Sequence, residues 1–146
     1  MDIESPAFAA NGPIPAKYTC DGENLSPPLL IWEIPAETQS IALVMEDMNA
    51  FPGVYTHWTV WNVLPKEADF PEHQIPLGAI EGTTSAGKKG YVGPCPPKDG
   101  KPHRYVFRAY ALSALLELPP GASVEELEQA LDGHVIEQAE LTAMYG

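Results

Sequence analysis

Three stretches of the chain carry the apolar patterns of β-strands. Residues 41–45 (IALVM) form a continuous apolar run, which is typical of a buried strand. Residues 57–64 (HWTVWNVL) and 105–112 (YVFRAYAL) are rich in aromatic and β-branched side chains, which strands favour. A shorter apolar piece covers residues 29–32, whereas residues 65–102 are dominated by loop signals. These patterns predict a mainly β protein.

Helical signals appear towards the C-terminus. Ser123 and Glu126 have the spacing of a capping box, and apolar residues at 124, 127 and 131 then follow the helical period. Gly133 is suited to end this helix. We predict a second short helix over residues 134–144. With strands first and helices last, the expected architecture is a β-sandwich with peripheral α-helices near the C-terminus.

Composition favours one globular domain covering residues 1–146. Hydrophobic residues make up 45% and charged residues 19% of the chain, which is ordinary for a protein with a packed core. Proline is abundant, with 16 residues. Because proline is excluded from helix interiors and central strands, these residues predict many ordered loops and favour a β-rich fold over a helical bundle.

The net charge of −12 argues against a nucleic-acid binder or a protein of anionic membrane surfaces, since both need a basic face. The cations are unevenly placed, because six of the eight Lys and Arg residues lie within residues 87–108. They are Lys88, Lys89, Lys98, Lys101, Arg104 and Arg108. This cluster is either a solvated loop with a mixed surface or a local field that attracts a small anion.

The chain shows neither a signal peptide nor an apolar stretch of the roughly 18 residues that a membrane helix needs. We therefore expect a cytoplasmic protein without integral membrane association. Its two cysteines, Cys20 and Cys95, allow one disulfide, but free thiols are the default expectation for a cytoplasmic chain.

Side chains that could bind a ligand or act in catalysis lie at the ends of the predicted strands. Asp47 follows the first strong strand, His57 opens the second, and His103 and Tyr105 share one face of the third. If these strands are neighbours, the side chains can converge at one rim. The Gly- and Pro-rich loop at 93–97 could then bring backbone N–H groups close to a ligand. Such a pocket would bind an anion without a catalytic nucleophile.

Several enzymatic alternatives use the same residues. Two histidines and a carboxylate could form a metal-binding triad, and Cys95 could act as a nucleophile with a His and an Asp. No partner that would orient the metal-bound histidines can be named, and the prolines around Cys95 leave no helix N-terminus to activate its thiol.

The chain contains no G-x-S-x-G motif, which argues against a serine hydrolase. A near match to a phosphate-binding loop at 82–88 is followed by Lys89 instead of Ser or Thr. We expect neither a cofactor nor a metal ion.

Four segments resemble one known family. They are YTCDGENLSPPLLIW (18–32), MEDMNAFPGVYTHWTVWNV (45–63), GKKGYVGPCPPKDGKPHRYVFRAYAL (87–112) and GHVIEQAELTAMYG (133–146). Together they resemble the bacterial and archaeal branch of the phosphatidylethanolamine-binding proteins, also called Raf-kinase-inhibitor-like proteins, over most of the chain and in the same order.

The resemblance implies a β-sandwich with peripheral helices and a small surface cavity that binds phosphate, acetate or phosphoryl head groups. It implies that Asp47, His57, His103 and Tyr105 occupy the cavity, with a wall formed by Gly93, Cys95, Pro96 and Pro97. A non-enzymatic binding protein is the first expectation. An inhibitor of a serine protease or kinase is the second, since the family contains such inhibitors, and an enzyme is the third. A homodimer is a further expectation.

One segment departs from the family pattern. The family usually carries Asp-Pro-Asp-Ala-Pro where this chain has Asp-Met-Asn-Ala-Phe at residues 47–51. Asn49 removes a negative charge and adds an amide donor, and the loss of both prolines relaxes the loop. We therefore expect the ligand preference of this side of the pocket to differ from that of relatives.

Overall fold

The computed structural model describes all 146 residues and contains two antiparallel sheets. The small sheet pairs β1 (Asp2–Glu4) with β2 (Leu30–Trp32). The main sheet contains β3 (Ser40–Asp47), β4 (Tyr55–Val63), β5 (Ile80–Glu81), β6 (His103–Leu112) and β7 (Val135–Tyr145). Its spatial order is β5-β4-β3-β6-β7. The long strands expected at 41–45, 57–64 and 105–112 are therefore present, and they are the three central neighbours.

One α-helix, α1 (Val124–Leu131), and two short 3-10 helices (Ala16–Tyr18 and Pro65–Glu67) complete the element list. The predicted capping box is confirmed, because the Ser123 side chain accepts from the Glu126 backbone N–H and the Glu126 side chain accepts from the Ser123 N–H. No helix has the length and apolarity needed to span a membrane.

The two faces of the main sheet are covered differently. A core of 19 buried residues lies between one face and the small sheet with its connecting loops, and it includes Met45, Trp58 and Phe107. A smaller core of eight buried residues forms on the opposite face, where Leu127 of α1 packs against Trp61. The apolar runs of the sequence are buried because both faces of β3 are covered.

The second predicted helix, at 134–144, is wrong. These residues form β7, which pairs with β6 along its length from His103↔Tyr145 to Leu112↔Val135. Inward-facing Ala139, Leu141 and Ala143 recur at every second position, which is the strand period. The N–H and C=O groups along the outer edge of β6 need partners, and a strand supplies them whereas a helix would not.

Candidate functional site

A cavity of about 620 Å³ lies at the end of the main sheet where β3 finishes and β6 begins. The register of the sheet places these strand ends together, since Asp47 pairs with Tyr55 on one side and with Tyr105 on the other. Asp47, His57 and His103 all line the cavity. The structure thus brings together three side chains that are far apart in the sequence.

A β-bulge lies at His57 in β4. Met45 pairs with Trp58 and Glu46 pairs with Thr56, which makes His57 the extra residue of β4. Regular alternation would put neighbouring residues 57 and 58 on opposite faces of the sheet. His57 lies two residues from Tyr55, so alternation puts both rings on the Asp47 side, 4.9 Å apart. The bulge lets the next residue, Trp58, face the same side, where it joins the core with Met45. Nothing in the sequence pattern signals this bulge.

His57 is held as a neutral, oriented imidazole. Its Nδ1 lies 2.5 Å from the carbonyl oxygen of Val92, and because a carbonyl oxygen can only accept, Nδ1 carries the proton. The residue is 4% exposed. Burial lowers the pKa of His57 below its ordinary value, and this effect outweighs the nearby Val92 carbonyl and the Asp47 carboxylate, which favour the charged form. The other ring nitrogen, Nε2, is therefore an acceptor.

His103 is paired with Asp47. Nδ1 of His103 lies 2.7 Å from Oδ2 of Asp47, and both side chains are largely buried. The other carboxylate oxygen, Oδ1, accepts from the backbone N–H of Asn49 at 2.8 Å. The two oxygens of Asp47 thus hold the His103 ring and the start of the loop that follows β3.

Asn49, where the sequence departs from the family pattern, supports the same loop. Its Oδ1 accepts from the backbone N–H of Arg104 at 2.7 Å. The Met48 N–H donates to the Arg104 carbonyl oxygen, so Met48 and Asn49 both hydrogen-bond to Arg104 near the start of β6. The neutral amide of Asn49 therefore holds the loop against β6. Phe51, further along the same loop, lies at the cavity rim and is 96% exposed.

Tyr105 lies behind the cavity and is not one of its lining residues. Its ring meets the His57 ring edge-on at 5.4 Å and stacks near the His103 ring at 6.5 Å. Its hydroxyl is buried without a hydrogen-bond partner. Burial, followed by the negative charge of Asp47, raises the pKa of Tyr105. Tyr105 is thus a neutral support for the two histidine rings.

Gly93, Cys95, Pro96 and Pro97, which the family resemblance implies as a wall, line the opposite side of the cavity. The Gly93 N–H donates to Oδ1 of Asn24 at 2.9 Å. A Cβ atom on Gly93 would lie 2.5 Å from the Tyr18 carbonyl oxygen and closer still to Asn24, so no larger residue fits. Glycine is required here for close approach between two loops.

The expectation of free thiols is wrong in this structure, because Cys20 and Cys95 form a disulfide. The bond joins the wall to the loop after the first 3-10 helix, across 75 residues of sequence. Sequence distance hides this proximity, and only the packing of the two loops creates it. Cys95 therefore lines the cavity as a disulfide sulfur and has no free thiol for use as a nucleophile.

Several lining residues were absent from the sequence-based prediction, including Tyr55, Val92, Asp99 and Lys101. The clustered cations also prove to be divided. Lys98 is paired with Asp21, and Arg108 with Glu46 and Glu140. Lys101 alone among the clustered cations lines the cavity. Two carboxylates, those of Asp47 and Asp99, line the same cavity, so the clustered cations do not produce a strong local positive field there.

The structure contains no metal-binding group, and a neighbouring cavity has its polar side chains paired with one another. No group of three His, Cys, Asp or Glu side chains is arranged to hold a metal ion. A second cavity of about 580 Å³ lies across the Pro96–Pro97 wall. Its polar side chains are already partnered, since Asp21 accepts from Lys98 and from Tyr145. The cavity described above is the one lined by two histidines, His57 and His103.

The fold and this cavity define a two-sheet β protein with a polar pocket at one rim of its main sheet. A family model described as phosphatidylethanolamine-binding protein matches residues 4–146. The chain belongs to the phosphatidylethanolamine-binding protein family.

Relatives in sequence agree with this assignment. A UPF0098 protein of Methanothermobacter thermautotrophicus is 43% identical over 99% of this chain and 98% of its own length. A UPF0098 protein of Chlamydia trachomatis is 41% identical over 99% and 98%. A Mycobacterium tuberculosis protein, LppC, whose name suggests a lipoprotein, is 39% identical over 99% of this chain and 72% of its own length.

Solved structures give the same picture. A phosphatidylethanolamine-binding protein homologue from Chlamydia trachomatis has a TM-score of 0.93 and 40% identity, covering 99% of this chain and 96% of that one. YbcL of E. coli has a TM-score of 0.92 and 28% identity at the same coverage. A carboxypeptidase Y inhibitor, solved with its cognate proteinase, has a TM-score of 0.53 and 16% identity, which indicates a shared fold only.

Proposed function

We propose that this protein is a non-enzymatic binding protein whose cavity takes a small phosphoryl anion, either free or as the head group of a larger molecule. One observation carries the proposal: the Asp47-paired ring of His103 and the neutral ring of His57 line the same cavity. Membership of the phosphatidylethanolamine-binding protein family supports it.

The two rings offer complementary groups to a phosphate monoanion. Asp47 accepts the Nδ1 proton of His103, so that a protonated ring would present its Nε2–H to a phosphoryl oxygen while the carboxylate offsets its charge. His57 presents a lone pair at Nε2, which can accept from the P–OH group of the same anion. Lys101 adds a cation at the rim. A monoanion with one hydroxyl therefore satisfies both histidines.

The lining offers no free serine, threonine or cysteine side chain, which supports a binding role over a catalytic one. The lining contains no serine and no threonine, and its one cysteine is bonded to Cys20. The Tyr55 hydroxyl is the remaining alcohol in the lining. Covalent catalysis needs an activated nucleophile beside a base, and the most common ones, a serine hydroxyl and a cysteine thiol, are not available in this lining.

A titration followed by NMR tests the proposal with an internal control. The chain has four histidines, and His73 and His134 are exposed outside the cavity. Adding phosphate or phosphoethanolamine should move the imidazole signals of His57 and His103 and leave those of His73 and His134 in place. Four unmoved signals at millimolar ligand would remove the proposed function. Equal shifts for free phosphate and the ester would identify the phosphoryl group as the recognised part.

A second candidate is a protein-contact role, as an inhibitor of a serine protease or kinase. The observation that favours it is the loop at residues 51–54, where Phe51 and Val54 are exposed apolar side chains beside the cavity. The inhibitor with the same fold contacts a proteinase in its crystal structure. Inhibition assays on a panel of serine proteases and kinases, with Phe51→Ser as the comparison variant, test this role; a protein that slows none of the enzymes does not have it.

A further inference from the structure

The disulfide between Cys20 and Cys95 lies at the cavity wall and is open to solvent. Cys95 lines the cavity, and both cysteines are exposed residues. A structural disulfide is commonly buried in a core, whereas an exposed one can be attacked by thiols from solution. The position of this bond therefore gives external thiols access to a part of the binding pocket.

Besides the disulfide, the Tyr91 hydroxyl donates to the Tyr18 carbonyl oxygen at 2.7 Å and Lys98 is paired with Asp21, and two further hydrogen bonds join the loops beside the S–S bond. The Cys20 N–H donates to the Pro94 carbonyl oxygen at 3.1 Å, and the Gly93 N–H donates to Asn24 at 2.9 Å. Both hydrogen bonds run between the same two loops that the disulfide joins. Breaking the covalent bond leaves the loops joined by these weaker contacts alone, so local opening of the wall then costs less free energy.

The segment that contains the wall also contacts His57 through Val92. Val92, three residues before Cys95, accepts the Nδ1 proton of His57 through its carbonyl oxygen. The Val92 N–H in turn donates to the His57 carbonyl oxygen at 3.0 Å. The orientation and the tautomer of the His57 ring thus depend on the position of residue 92, and the disulfide restrains the segment to which residue 92 belongs.

We propose that Cys20–Cys95 is a thiol-exchange site through which low-molecular-weight thiols set the order of the 92–97 wall and the hydrogen bond of His57. The thiolate of one such molecule attacks a cysteine sulfur, the S–S bond breaks, and the other cysteine leaves as a thiolate that takes up a proton. A second thiol attacks the mixed disulfide and releases the second cysteine. Two external thiols are oxidised to one disulfide as the protein disulfide is reduced.

The consequence depends on where the protein works. In an oxidising compartment the bond persists and the wall remains tied to the Cys20 loop. In the cytoplasm, the location that the sequence predicts, glutathione-type thiols favour reduction of an exposed disulfide. The cavity then has two states, and the reduced state holds His57 less firmly.

The experiment compares the protein purified without reductant with the same protein after dithiothreitol. Amide hydrogen exchange is measured together with the nitrogen-15 signals of the His57 ring. On reduction, the Cys20 and Gly93 amides should exchange roughly tenfold faster or more, because local opening then costs less free energy. The His57 ring signals should shift, while the buried amides of Leu43 and Phe107 should retain their exchange rates.

A double variant, Cys20→Ser with Cys95→Ser, is the matched control. It should show the fast exchange of the reduced protein with or without dithiothreitol. If the variant does not fold, the comparison of oxidised and reduced wild type still decides the matter. Two free thiols in protein purified without reductant, or equal exchange and equal His57 signals in both redox states, would overturn the proposal.

These measurements need no ligand, so they separate this proposal from the proposed function. Phosphate binding is then compared in the two redox states as a second arm. Weaker phosphate binding after reduction supports the coupling of the wall to the pocket. If the oxidised protein binds no phosphate, the proposed function is wrong, and the exchange and His57 readouts still decide on the thiol-exchange site.

Discussion

His57 Nδ1 lies 2.5 Å from the carbonyl oxygen of Val92 in a site where the ring is almost fully buried. This contact fixes the tautomer of the ring, and the burial lowers its pKa below the ordinary value of 6.5. A charged His57 would have to be accommodated without solvation. The folded protein therefore favours the neutral ring.

This preference predicts a pH dependence of stability. Because the folded pKa is depressed, the contribution of His57 is fully present above pH 6.5 and is lost as the pH falls through the folded pKa. Urea unfolding of the wild type between pH 8 and pH 5 should therefore show decreasing stability. His57→Gln cannot titrate, and its amide can still donate to the Val92 oxygen. The variant should show a shallower decrease, and parallel curves for the two proteins would disprove the assignment.

Replacing His103 should weaken anion binding. In His103→Asn, the side-chain amide can still donate to Asp47, but the variant lacks the second ring nitrogen, Nε2, that His103 can offer to a ligand in the cavity. Because hydrogen bonds to charged groups contribute about 1.5–3 kcal/mol, phosphate affinity at pH 6 should fall roughly tenfold or more. Calorimetric titration measures the change. His73→Asn, at an exposed site outside the cavity, is the control and should bind as the wild type does.

Gly93 should not tolerate a side chain. The Cβ of Gly93→Ala would lie too close to the Tyr18 carbonyl oxygen and to Asn24, so the wall must shift, at a cost of about 1–3 kcal/mol. Gly53→Ala is the matched control, because its Cβ meets no atom within 4 Å. Chemical unfolding compares the two. Equal stabilities would mean that the wall and the Asn24 loop do not pack as described.

The disulfide should stabilise the whole chain. Its 75-residue separation means that it removes much freedom from the unfolded state, and Cys20→Ser with Cys95→Ser should cost about 2–4 kcal/mol. Urea unfolding of the oxidised wild type and of the variant measures this difference. Dithiothreitol should lower the unfolding midpoint of the wild type and leave the variant unchanged. A variant as stable as the oxidised wild type would contradict the expectation.

The capping box of α1 provides a prediction away from the cavity. Ser123→Ala removes the side-chain oxygen that accepts from the Glu126 N–H and should cost about 1 kcal/mol, or about 2–4 °C in melting temperature. Ser113→Ala is the control, since its exposed hydroxyl has only a 3.5 Å contact with His134. Thermal unfolding of both variants should separate them, and a Ser123→Ala melting temperature equal to that of the control would show that the cap contributes little.

Local sequence determined the elements whose signals lie within a few residues. The run at 41–45 is too apolar to lie on a surface, so β3 could be predicted as a buried strand. The cap at Ser123 depends on a residue three positions away, so α1 could also be predicted. The family resemblance supplied the identities of the cavity residues, including those of the wall at 93–97.

Tertiary structure decided the rest, because the deciding contacts are made by residues distant in the sequence. Residues 134–144 can follow a helical or a strand period, and the open edge of β6 selects the strand. Asp47 meets His103 because β3 and β6 are antiparallel neighbours, and His57 joins them because β4 pairs with the other side of β3. The pairing of Cys20 with Cys95 depends on two loops that become neighbours only when both pack beside the sheet. Sequence therefore determined the types of groups available to this pocket, and long-range packing determined which of them meet.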